Sequence, residues 1–216
     1  MIGIDAGLGI AAVALAMVLT PGPNMIYLVS RSITQGRAAG LISLLGVAVG
    51  FFAYLLAAVT GVSAVFALVP TMYTAIKIAG ACYLLWLAWN AIKPGGQSAF
   101  SPKDLPIDRP RKLFTMGLMT NLLNPKIAVL YVSLLPQFVD PAKGDIAAQS
   151  LSLGLIQITV ALTVNCLIVL TAGSVSSFLA RKPTWLRAQR YAMGTVLIGL
   201  AVSMAFDRTE AAAPRQ

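Results

Sequence analysis

The chain has 216 residues, 58% of them hydrophobic and only 11% charged, with a mean hydropathy of +0.82. Soluble domains carry about 25% charged residues; here the charges fall almost wholly between apolar runs of membrane-spanning length, which excludes a soluble core and marks an integral membrane protein. The net charge of +9 is scattered over short loops, which excludes a nucleic-acid-binding face.

In chain order, the first apolar run covers 6–29. No Lys or Arg precedes it, the first basic residue being Arg31, so it reads as a mature span and not as a cleaved signal. "TPGPN" (Thr20, Pro21, Gly22, Pro23, Asn24) interrupts it. The second and third spans are expected at 41–69 and 72–92. Gly46 and Gly50 form a small-xxx-small pair suited to close helix packing. Lys77 lies near one end of the third span, within snorkelling reach of the interface, and is kept as a weaker site candidate. The stretch 93–112, rich in proline and glycine and of mixed charge, reads as a flexible linker between two halves, 1–92 and 113–207, followed by a disordered tail at 208–216.

The fourth span, 113–135, is interrupted by "NLLNPK", which contains Asn121, Asn124, Pro125 and Lys126. The fifth, 146–179, carries Gln157 and Asn165, eight residues apart with Ala161 between them, on one helix face. That strip either lines a cavity or bonds between helices. The sixth span is expected at 191–206. Tyr27, Tyr73, Trp86, Trp89, Tyr131, Trp185 and Tyr191 are expected chiefly as interface anchors. Cys82 and Cys166 lie apart in apolar segments and suggest no disulfide.

Eleven Lys and Arg residues fall in loops on one side, Arg31 and Arg37 among them, against three on the other. By the positive-inside rule the basic side is cytoplasmic and both termini are periplasmic. The expected fold is therefore all-α: six transmembrane helices in two inverted three-helix repeats, each with a broken first helix. Paired interruptions in corresponding spans point to a transporter binding site. Counted along the helices, Asn124 lies roughly 16 Å and Pro21 roughly 22 Å deep from opposite faces, so the breaks can meet near the midplane.

Each break has the chemistry of a helix restart, with Pro at the first position and Asn124 or Thr20 before it as cap. Freed N–H groups and the positive ends of two restarting helices would receive an anionic group. Lys126, costly at mid-depth, is expected to pair with a substrate carboxylate and to release a proton as the site opens. No Asp, Glu or His lies deep in a span, which favours a net-neutral zwitterion, its ammonium held by Thr20, Asn24, Asn121 and Asn124.

"TPGPN", "KIAGACYLLWLAWNAI" (77–92) and "GLMTNLLNPKIAVLYVSLLPQFVDP" (117–141) together resemble the LysE-type translocator family, which includes lysine exporters and homoserine/threonine efflux proteins, over essentially the whole chain. The resemblance implies export of amino acids or derivatives across the bacterial inner membrane, driven by the membrane gradient with protons as coupling ion. No cofactor and no metal site are expected, and the sequence is compatible with a homo-oligomer. Many members have Asp after the second proline, where this chain has Asn24, so no ionisable carrier stands there. Cation or heavy-metal efflux remains an alternative, as does, further off, a membrane-embedded enzyme; two isolated Cys and the absence of His argue against both.

Overall fold

The computed structural model of the chain describes residues 2–20, 22–68, 70–93, 106–180, 184, 191, 194–195 and 197–202, with side chains described for these outside 62–77, 87, 90–91 and 175–180. Pro21, the side chain of Lys77, and Tyr73 and Trp185 as anchors thus lie outside the described set. Among the described residues every regular element is helical: α1 (Ile4–Leu19), α2 (Pro23–Gln35), α3 (Arg37–Leu68), α4 (Pro70–Ile92), α5 (Pro110–Leu122), α6 (Pro125–Val129) and α7 (Ile146–Ala180). The described residues between 191 and 202 are helical as well.

Two stretches, Arg37–Gly61 within α3 and Ile146–Ser174 within α7, are each long and apolar enough to cross a membrane, with mean hydropathy 2.3. Two further stretches meet that standard only as bent pairs: α1 with α2, at 55°, and α5 with Pro125–Phe138, at 48°. The runs at 6–29 and 113–135 are therefore each two helices meeting at an angle.

Proline explains both bends. A residue before proline is pushed out of the helical region, and Thr20 (ψ 125°) and Asn124 (ψ 106°), each followed by proline, are extended. Pro23 and Pro125 then take the first positions of α2 and α6, where a missing N–H costs no intrahelical bond. Beyond α6 the helix widens into a π turn (Leu130–Leu134) and tightens into a 3-10 turn (Leu135–Phe138). Pro136 cannot donate to the carbonyl four residues back, and the N–H of Leu135 reaches past it to the Leu130 carbonyl.

The central element is α3, which packs most extensively on α5 and α7, while α1 leans on α7 and α2 on both α3 and α7. Where α3 crosses α5 the backbones touch. A methyl group on Gly46 would overlap the Phe114 carbonyl, and one on Gly117 would overlap that of Ser43. Gly50 leaves room for the Asn121 side chain, completing the small-residue face. Large apolar side chains such as Phe52, Leu56, Trp86, Trp89 and Leu167 face outward, as a lipid-facing exterior requires.

This crossing generates a test. Gly46→Val forces a branched side chain into main chain that cannot yield, and overpacking of this kind costs about 1–3 kcal/mol. Thermal unfolding in detergent should occur at a clearly lower temperature. Gly61→Ala, whose new methyl meets nothing within 4 Å, should be neutral or slightly stabilising.

Candidate functional site

The two breaks meet at Lys126. Its Nζ, on the first turn of α6, donates to the carbonyl oxygens of Met17 (2.8 Å) and Thr20 (2.7 Å) at the end of α1. A buried ammonium is thereby set on the partially negative end of a half-helix, the favourable sense of the helix dipole. Gly22 makes room for it: a Cβ at that position would stand 2.8 Å from Nζ. An ammonium has three N–H donors, so one remains after these two bonds.

At the second break, freed backbone groups are also met from within the protein. Asn124 caps α6, its Oδ1 accepting from the Lys126 N–H at 3.1 Å. The Tyr54 hydroxyl donates to the Leu122 carbonyl, at the end of α5, at 2.8 Å. Thr20 does not cap α2 as its place before Pro21 suggested. Its hydroxyl turns back to the Ala16 carbonyl of α1 at 2.8 Å, and α2 begins two residues later, after Gly22, with no side-chain cap. Pro23 takes the first position of the restarted helix.

Between the half-helices lies a cavity lined by Asn24, Lys126, Gln157 and Asn165 together with apolar groups including Met17 and Phe51. About 20 Å³ of it is open to the centres of water molecules, room for one or two waters. The polar strip of Gln157 and Asn165 on α7 thus faces a cavity. Thr20, Gly22, Pro23, Asn121, Asn124 and Pro125 lie outside its wall and shape the breaks around it. Seven buried side-chain polar atoms among the described residues have no hydrogen-bond partner, and four of these belong to Asn24, Asn121 and Asn124. Unmet hydrogen-bonding capacity therefore concentrates at the breaks.

A second polar centre was missed in the sequence. Arg31, taken above as a loop charge, lies within α2 and is only 1% exposed. It pairs with Asp108 at 2.5 Å and donates to the Pro106 carbonyl at 2.9 Å, with the Tyr27 ring beneath it. Lys112 holds the other carboxylate oxygen at 2.7 Å. The Gln35 amide bonds both the N–H and the C=O of Asp108. Part of the stretch expected to be a flexible linker is therefore docked: residues 106–109 are held against α2, and α5 begins at Pro110. Two expected interface anchors also turn inward. Tyr27 donates to the Leu113 carbonyl, and buried Tyr131 donates to Gln157 Oε1.

The hydrogen bond from Lys112, followed by that from Arg31 and its charge, holds the Asp108 carboxyl below the usual carboxylate range, against the opposing effect of burial. A carboxyl depressed on folding contributes stability above its unfolded pKa and loses it as pH falls through the folded one. At neutral pH the wild type should melt above Asp108→Asn. The gap should persist down to the ordinary carboxylate range and close only below it, in melting curves taken across pH.

A family model described as LysE type translocator matches residues 15–208. A leucine efflux protein of Klebsiella pneumoniae subsp. pneumoniae is 23% identical over 192 residues, covering 89% of this chain and 91% of that protein. One from Enterobacter sp. is 26% identical over 196 residues, with the same coverage. An uncharacterised membrane protein of Pseudomonas aeruginosa is 24% identical over 196 residues, covering 88% of this chain and 89% of its own. No solved structure matches the chain.

Proposed function

The chain belongs to the LysE type translocator family, and we propose on that premise that it exports small neutral amino acids across the bacterial inner membrane. In this reading six spans form two inverted three-helix halves, both termini face the periplasm, and the halves alternate in opening the cavity to either side.

The observation that carries the reading is the contact of Lys126, from the second half, with the broken end of α1 in the first. Substrate recognition follows from the groups at the cavity. The remaining Lys126 donor takes the α-carboxylate, the unpartnered Asn24 Oδ1 takes the ammonium, and Met17, Met25, Phe51 and Leu130 receive an apolar side chain. The relatives named leucine efflux protein agree with that class of cargo. A cavity with room for a water or two must widen to admit an amino acid, and the breaks after α1 and α5 are the hinges for it.

Lys126 is the ionisable group at the described cavity wall. As the α1 carbonyls move away its ammonium loses partners, and a proton taken up from the periplasm and released to the cytoplasm over the cycle couples export to the gradient. The buried Arg31–Asp108 pair ties the connection between the halves to α2 at the basic, cytoplasmic end and closes that side until substrate enters.

Metabolite profiling of medium from cells with and without the protein tests the function: small neutral amino acids should accumulate outside only with it. Lys126→Gln, at equal membrane abundance, should cut that efflux by about tenfold or more, the scale of a lost charged hydrogen bond. Undiminished gradient-driven export by this variant would sink the role of Lys126, and an unchanged amino-acid profile would sink the function.

A further inference from the structure

We propose that Tyr131 is a positioning residue that holds the Gln157 amide with its N–H donors toward the cavity, so that the site selects substrates by a free α-carboxylate. The inference rests on the exporter reading and deepens it.

Tyr131 lies in the π turn that Pro136 imposes and is 1% exposed. Its hydroxyl donates to Gln157 Oε1 at 2.6 Å. The ring has little freedom: it stacks on Tyr54 with centroids 5.6 Å apart and planes 19° from parallel, and Tyr54 is itself tied to the Leu122 carbonyl. A phenol has a single proton to give, and a buried one needs an acceptor. With the Gln157 oxygen filling that role, the amide nitrogen faces the other way. Among the described residues the Gln157 side chain makes no hydrogen bond besides this one, and it lines the cavity. Two N–H donors thus stand ready at a wall that also holds the free donor of Lys126.

The polarity of the site follows. Lys126 and Gln157 offer donors, and Asn24 Oδ1 offers an acceptor without a partner. A carboxylate satisfies both donors, whereas a carboxamide brings its own N–H groups against them. Sites built on buried hydrogen bonds reject analogues that leave those groups unpaired far more strongly than apolar pockets reject a size change. Without the Tyr131 hydroxyl the Gln157 amide is free to turn over, and discrimination weakens while the transport cycle itself is untouched.

The test uses purified full-length protein in liposomes, with leucine and leucinamide as paired probes. Wild type should carry leucine in strong preference to leucinamide. Tyr131→Phe should raise the KM for leucine about tenfold, the worth of a hydrogen bond to a charged group, with Vmax held within about twofold and the preference narrowed to match. Gln157→Glu keeps an acceptor for Tyr131 but puts an oxygen where the donor was, and should reverse the preference. Gln157→Met, uncharged and of similar length, should lose leucine transport without gaining leucinamide, and together with Tyr131→Phe decides the matter if the buried carboxylate prevents folding. An unchanged KM in Tyr131→Phe, a fall in Vmax alone, or equal transport of both probes by wild type would overturn the inference while leaving the exporter reading in place. Wild-type liposomes that carry none of leucine, valine, alanine, threonine or methionine would overturn both.

Discussion

The ammonium of Lys126 on the last carbonyls of α1 is the contact on which the rest of the molecule depends. Backbone groups released inside a bilayer cannot turn to water, and each must find a partner within the protein. A broken span is tolerable only if another element answers it. Here the answer for the first break comes from a residue more than one hundred positions away, so neither break is stable without the other half of the chain.

The two interruptions share a sequence pattern but are finished differently. At the second, Asn124 caps the restarting helix and Tyr54 closes the one that ends. At the first, α2 restarts after a glycine with no side-chain cap, and its first polar side chain, Asn24, keeps an unpaired oxygen beside the cavity. Both breaks keep unpaired side-chain atoms, Asn24 Oδ1 at the first and Asn121 with Asn124 Nδ2 at the second, but of these asparagines Asn24 alone lines the cavity. Gly22 contributes by what it lacks, since its bare backbone is what lets the lysine pass.

Much of this was legible in the sequence because prolines, asparagines and glycines inside apolar runs have few other uses. The two breaks, the asparagine cap at 124, the close α3 contact through Gly46 and the shared face of Gln157 and Asn165 all followed from local rules. What escaped depended on partners distant in sequence. Arg31 reads as a loop charge to any hydropathy window, and only Asp108, seventy-seven positions on, makes its burial tolerable. Tyr131 reads as an interface aromatic because nothing near it signals that Gln157 will receive its proton. Thr20 was misjudged in direction: either neighbouring helix could use its hydroxyl, and the extended backbone through Gly22 left the earlier one within reach.

The meeting of α3 and α5 at Gly46 and Gly117 has a mechanical result. Main chain against main chain offers nothing to compress and no side chain to slide over, so the two segments can turn about that point but not shear past it. It acts as a fulcrum, and along α3 it is off-centre, Gly46 lying nine residues from the start of that 32-residue helix, roughly 14 Å from the end near the Arg31–Asp108 pair. The lever arm toward the opposite mouth is the longer one. A rotation of a given size about this point therefore displaces the far end of α3 more than the near one, and the alternating access proposed above would open the two sides unequally.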